Sequence, residues 1–498
     1  MIENFLAGTA ALFGDPITIL IFVFGVIGGM LFGAIPGVSM LTLAAILLPF
    51  SAGLEPAQGV MLFAVIYCTG TYGGAITAIL FNIPGAPENA PTAFDGYPMT
   101  KQGRAGKAVG AAVLCSAIGG TASALLMMAA TEPLAKWAIR NIGPPEIFAL
   151  VFFGLAVASS VGGNTIWKGW MSVLLGLLVA TVGQDPVGGI NRYNFGMTDL
   201  AAGIAFVPAI LGFFAVSEIF IQAEKRAFGK YNAPKLDVNF PTFLELWRYK
   251  IAVVRSILVG FFCGILPGIG ATLAAFMGYG EAVRWSKDKE SFGKGNLEGV
   301  ISSETANNAA TGAAMIPLLA LGLPGGALTA IMVAVFQFHD MEPGPLVFYN
   351  SPELIWVVFA AMFYANVSIL FIGLIETKTI LQLLRIPFHF LAPMILMLAS
   401  IGSYIGRGLV LDVMVMFLAG MIGFLLRRSG YSIPGIVLGI ILGKIGEQNF
   451  AQGMQMVHYD LITYLSRPIC LILIVAGAIT LGTGVYKALA SNRTGAKQ

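Results

Sequence analysis

The chain has 498 residues, of which 57% are hydrophobic and 11% charged, with a formal net charge of +3 and a mean hydropathy of +0.84. Soluble domains hold roughly 45–50% apolar and about 25% charged residues, so the composition excludes a string of soluble domains and points to an all-α polytopic membrane protein. There is no GxxxxGK[ST], HExxH or GxSxG, and His339, His389 and His458 are scattered. With no P-loop, no catalytic constellation and no cofactor motif, neither an enzyme nor a nucleic-acid binder is expected.

In chain order, apolar runs fall at about 16–35, 56–82, 106–130, 145–161, 168–182, 200–222, 249–266, 297–322, 353–375, 391–406, 409–426 and 467–485. Runs near 20 residues can cross roughly 30 Å of hydrocarbon as helices, which predicts about twelve spans. Shorter runs at 38–50, 269–283, 326–338 and 433–445 read as re-entrant or half-spanning. The N-terminal segment lacks a basic region and a cleavage site, so the first span is expected to be retained. Cys68, Cys115, Cys263 and Cys470 lie in apolar runs without CxxC spacing and read as small buried hydrophobes.

The chain repeats itself. GGMLFGAIPGVS (28–39) returns as VGFFCGILPGIG (259–270), so that Gly29, Gly33, Pro36 and Gly37 match Gly260, Gly264, Pro267 and Gly268 at an offset of 231. Further on, Pro84-Gly85 matches Pro324-Gly325 at an offset of 240, and the nine added positions fit an insertion in the charged stretch 284–296. We therefore expect a first membrane repeat over 1–226, a linker over 227–248 and a second repeat over 249–498. Lys225, Arg226, Lys230, Lys235, Arg248, Lys250 and Arg255 cluster around the linker, which the positive-inside rule puts in the cytoplasm.

Each half holds two apolar helices interrupted by Pro-Gly, which removes a backbone donor and relaxes the backbone. In hydrocarbon such breaks are tolerated only where protein or a watery cavity satisfies the freed groups, and paired breaks in two halves are the sequence pointer to a transporter's substrate site. Pro36, Gly37, Pro84, Gly85, Pro267, Gly268, Pro324 and Gly325 are thus candidate translocation residues, with Ser39 and Asn82 beside the breaks. Thr69 and Thr71 interrupt an apolar helix; their hydroxyls suit an oxyanion, a sodium ion or plain helix packing. Asp95-Gly96 and the prolines around it read as turns, and Lys101, Arg104 and Lys107 as a cytoplasmic anchor.

The second half carries the richest polar cluster, because Glu304, Asn307, Asn308 and Thr311 fall at i, i+3, i+4 and i+7 on one helical face. A carboxylate and two amides are costly against lipid and are expected to face a cavity. Subtracting 240 gives Ala64, Tyr67, Cys68 and Thr71, so only the second half supplies a carboxylate.

GGMLFGAIPG, the DGYPMTKQGRAG loop and the SSETANNAATGAAMIPLLALGLPGG helix together strongly resemble the large membrane subunit of the tripartite tricarboxylate transporters, the TctA family. The resemblance covers essentially the whole chain. It implies a multi-pass protein of the bacterial inner membrane that works with a small membrane subunit and a periplasmic solute-binding protein. It also implies secondary uptake of a di- or tricarboxylate, or of another small organic anion, driven by a sodium or proton gradient. A passive anion channel, the rival from another class, would favour charged rings or carbonyl filters. No Arg or Lys lies in the repeated core, so backbone N–H groups at helix starts, with threonine and asparagine, are expected to hold the anion. Replacing Gly37 or Gly268 with valine is then expected to abolish uptake while membrane insertion, read by fractionation, stays intact; normal uptake would remove these breaks from the site.

Overall fold

The computed structural model describes residues 1–35, 39–161, 165–185, 187–224, 241–266, 270–383 and 388–495. Pro36, Gly37, Pro267 and Gly268, and positions 227–240 of the expected linker, lie outside the described residues. Among the described residues the protein is all-α apart from one short hairpin, β1 (Gly183–Gln184) with β2 (Asn191–Arg192). The first half runs α1 (Ile2–Gly14), α2 (Pro16–Ala34), α3 (Met40–Ser51), α4 (Pro56–Phe81), α5 (Ala90–Lys101), α6 (Ala105–Asn141), α7 (Pro144–Val161), α8 (Ile166–Ala180) and α9 (Phe206–Glu224), the last with a π turn at Leu211–Val216. The second half runs α10 (Phe243–Trp247), α11 (Lys250–Ile265), α12 (Gly270–Trp285), α13 (Leu297–Leu321), α14 (Ala327–Phe338), α15 (Pro352–Leu383), α16 (Phe388–Ile405), α17 (Val410–Arg428), α18 (Ile433–Met456) and α19 (Pro468–Gly495).

Among the described residues, seven helices are long and apolar enough to cross a membrane, with five shorter apolar helices beside them. Five expected spans are not among the seven: those at 145–161, 168–182 and 391–406 appear as shorter apolar helices, α11 is only 16 residues long, and α13 carries Glu298, Glu304 and two asparagines that lower its hydropathy. The run at 433–445 forms the first part of the 24-residue α18. The four cysteines are free, and all but Cys263 are fully buried.

α4 and α13 form the centre. Gln58 to Leu80 are all buried, as are Gly299 to Ala320; a helix that is apolar or small on every side is one surrounded by other helices. α17 and α19 mark the periphery, their apolar side chains largely uncovered, which is the surface lipid requires.

The repeat is visible as geometry. α4 ends at Asn82 in the left-handed region (φ 57°) and α13 at Gly322 (φ 74°), 240 positions later. Ile83 N–H donates to the Thr77 carbonyl at 3.3 Å, and Leu323 N–H to the Pro317 carbonyl at 3.0 Å, the same six-residue closure of a helix end. The seams recur too. A β-carbon at Gly29 would collide with Thr69 and Ile66 of α4, and one at Gly260 with Ala306 and Ala309 of α13; Gly33 abuts Gly70 and Gly264 abuts Ala310 in the same way. Small residues permit this approach where no hydrophobic force pulls helices together in lipid. Gly33→Val is expected to lower stability by about 1–3 kcal/mol, read as a lower Tm of the detergent-purified chain, whereas Gly14→Val, with nothing within 4 Å, leaves it unchanged.

Candidate functional site

The segment Ala90–Lys101, expected to be turns, is helix α5, with Pro91 in its first turn and Pro98 inside it. Tertiary packing overrides the turn signals, because Gly96 lets α5 sit directly on Ile79 of α4. Asp95 is fully buried. One carboxylate oxygen accepts from Gly295 N–H (2.9 Å) and Asn296 N–H (2.8 Å), and the other from the Tyr279 hydroxyl (2.9 Å). It thereby satisfies donors that the start of α13 leaves free and fastens α5 to the second half.

One turn earlier on the same face, Thr92 donates to Glu304 and shares a 3.0 Å hydrogen bond with Ser303. Ser116 of α6 donates to the other Glu304 oxygen at 3.0 Å. Asn308 Nδ2 in turn donates to Ser116 Oγ at 2.9 Å and lies 3.4 Å from the same carboxylate oxygen. Thr92, Ser116, Ser303, Glu304, Asn307, Asn308 and Thr311 are all shut off from solvent. Among the described residues no lysine or arginine pairs with Glu304. Its carboxyl is therefore held by hydrogen bonds alone.

Asn307 lies on the same face of α13, and neither its amide oxygen nor its amide nitrogen has a partner; the Asn308 and Asn89 amide oxygens are likewise open. Buried amides without a partner are rare in folded proteins. Thr311 Oγ1 stands 3.9 Å from Cys68 Sγ, which brings the equivalent faces of α13 and α4 together. Asn89, between α4 and α5, donates to the Thr71 carbonyl at 2.9 Å, and its neighbour Glu88, also buried, is reached by the Thr272 side chain at the start of α12.

The structure thus gathers Glu304, Asn307, Asn308, Thr311 and Thr71 around one interior. It places others differently. Thr69 donates to the Val65 carbonyl at 2.9 Å and packs on Gly29 in the α2–α4 seam. Ser39 is the N-cap of α3, accepting from Thr42 N–H. Asn82 and Pro84 are exposed, while Gly85 N–H donates to the Gly74 carbonyl at 3.3 Å. Pro324 and Gly325 are buried, with Gly325 against Ala314 of α13. Sequence reasoning missed Asn89, Thr92 and Ser116, because a single small polar residue in an apolar or proline-rich run carries no spacing signal.

The model of the family described as "Tripartite tricarboxylate transporter TctA family" matches residues 19–438. This chain belongs to the TctA family. It is 35% identical over 485 residues, 96% of this chain and 95% of the relative, to a 52.8 kDa protein of Agrobacterium vitis from the TAR-I ttuC' 3' region. A second Agrobacterium vitis protein, from the TAR-II ttuC' 3' region, is 32% identical over 234 residues, 47% of this chain and 97% of that protein. No solved structure matches. As a TctA protein the chain is a multi-pass membrane component of a tripartite transporter.

For this TctA chain, Thr92→Val removes a donor from a buried carboxylate and is expected to lower stability by about 1–3 kcal/mol. In a Glu304→Gln background the loss is expected to shrink; equal losses in both backgrounds, measured by thermal denaturation of the purified chain, would show that the two side chains act independently.

Proposed function

We propose that the protein imports a di- or tricarboxylate across the bacterial inner membrane, driven by an inward gradient of sodium ions or protons. A small membrane subunit and a periplasmic binding protein that delivers the substrate complete the system. The observation that carries this reading is Glu304, a carboxylate sealed in the interior of a transporter-family protein with no lysine or arginine among the described residues paired to it and an unpartnered amide, Asn307, on the same helical face. An intramembrane carboxylate without a countercharge is the group a translocated cation neutralises. The substrate's negative charge is held by backbone N–H groups at the helix starts that follow the Pro-Gly breaks, and the cation offsets it where lysine and arginine are absent.

The test is reconstitution of the chain with its two partner subunits in vesicles, with a panel of radiolabelled organic carboxylates and with sodium and proton gradients imposed separately. Uptake is expected to need the binding protein and one of the gradients. In Glu304→Gln the gradient is expected to lose its hold on substrate affinity, raising KM by about 5- to 150-fold, the usual span of a coupling free energy between two sites. Gradient-driven uptake by Glu304→Gln at the wild-type KM would remove Glu304 from the coupling step, and uptake without any gradient would overturn secondary transport.

A further inference from the structure

We infer that the linker end of the protein carries a site for the phosphate headgroup of an anionic phospholipid of the cytoplasmic leaflet. A cleft of about 820 Å³ opens there between three segments distant in sequence, with Arg104 and Lys107 at the start of α6, Arg248 and Arg255 around the start of α11, and Lys287 between α12 and α13. The last wall belongs to the charged insertion at 284–296 that the first half lacks.

The five cations of the cleft outnumber its three carboxylates, Glu245, Asp288 and Glu298. Lys107 pairs with Glu245 at 2.6 Å, and this ammonium holds the Glu245 carboxyl below its usual range. Arg255 meets Glu298 only at 3.8 Å, and its Nε is buried without an acceptor. Arg104 donates to the Gln102 side chain at 3.2 Å and the Gly295 carbonyl at 3.4 Å, which carry no charge. Among the described residues, no carboxylate lies within ion-pair distance of Arg104, Arg248 or Lys287. Excess positive charge walled on three sides attracts an anion rich in acceptors.

The rim identifies what carries the phosphate. Ile251 (73% exposed) and Trp285 (65%) line the cleft with the cations, and the neighbouring α10 exposes Leu244 (79%) and Trp247 (57%), with Lys250 over the Trp247 ring at 5.0 Å. Exposed tryptophans beside basic residues mark headgroup depth. A soluble anion gains nothing from such a rim, whereas a lipid covers it with acyl chain while its phosphate enters the cleft, as basic pockets between helices on the cytoplasmic side do. Because the walls come from both halves, the bound headgroup bridges them.

The detergent-purified full chain is titrated with phosphatidylglycerol, phosphatidylcholine, glycerol 3-phosphate and inorganic phosphate, and bound species are counted by native mass spectrometry. Phosphatidylglycerol is expected to bind selectively and to lose affinity about fivefold for each of Arg104→Ala, Arg248→Ala and Lys287→Ala, with no change for Lys136→Ala and Arg140→Ala on the far end of α6. Wild-type affinity in all three variants would overturn the site, and binding of the soluble phosphates as tight as that of the lipid would overturn the lipid assignment. Lys287 is exposed on a connection, so its variant carries the test even where the others misfold.

Discussion

The structure depends on one constraint, a carboxylate in the interior that no lysine or arginine among the described residues meets. Taking an ion out of water costs several kcal/mol even after relaxation, and only fixed donors offset that. At Glu304 the donors come from α5 through Thr92, from α6 through Ser116 and from α13 itself through Asn308. Three helices must therefore hold their relative positions to within hydrogen-bonding tolerance. The close seams follow from this requirement. Gly119 of α6 sits on Thr305, and Gly312 of α13 sits on Ser123, which also accepts from Ala313 N–H at 3.1 Å. α6 and α13 are stitched along several turns as well as at the carboxylate.

α5 is the part that makes the arrangement specific. Thr92 and Asp95 lie three residues apart, hence on one face, and that face contacts α13 twice, at Glu304 and at the start of the helix. A segment of the first half thus caps the second half and also supplies its buried carboxylate with a donor. The two contacts differ in kind. Asp95 compensates unsatisfied backbone N–H groups at the start of α13, while Thr92 donates to a carboxylate inside the bundle.

Much of this was legible in the sequence. The offset of Pro84-Gly85 from Pro324-Gly325 anticipated matching helix ends, since a left-handed residue followed two positions later by proline stops a helix wherever it occurs. The i, i+3, i+4, i+7 spacing placed Glu304, Asn307, Asn308 and Thr311 on one face, and the structure has them there. α5 was not legible. Its Asp-Gly pair and prolines carry turn propensity, and only the contact of Gly96 with Ile79 makes a helix the better solution. Ser116 and Thr92 were hidden for a different reason, because a lone hydroxyl inside a membrane helix usually bonds its own backbone, and nothing local tells the exception from the rule. Thr69 illustrates the opposite case, a suggestive polar interruption whose hydroxyl is spent on the Val65 carbonyl.

The asymmetry of the repeat explains why duplication did not produce a symmetric site. The positions in α4 equivalent to Glu304, Asn307 and Asn308 are Ala64, Tyr67 and Cys68, and the meeting of Cys68 with Thr311 shows that these faces are turned toward each other. A second carboxylate at position 64 would add a like charge to the same enclosed region, where each would suppress ionisation of the other. One acidic face against one nearly apolar face avoids this and leaves Glu304 as the one carboxylate on these two faces. The matched seams, Gly29 and Gly33 with α4 and Gly260 and Gly264 with α13, keep the backbone scaffold common to both halves. Geometry is therefore inherited from the repeat, and chemistry from the divergence of one helix.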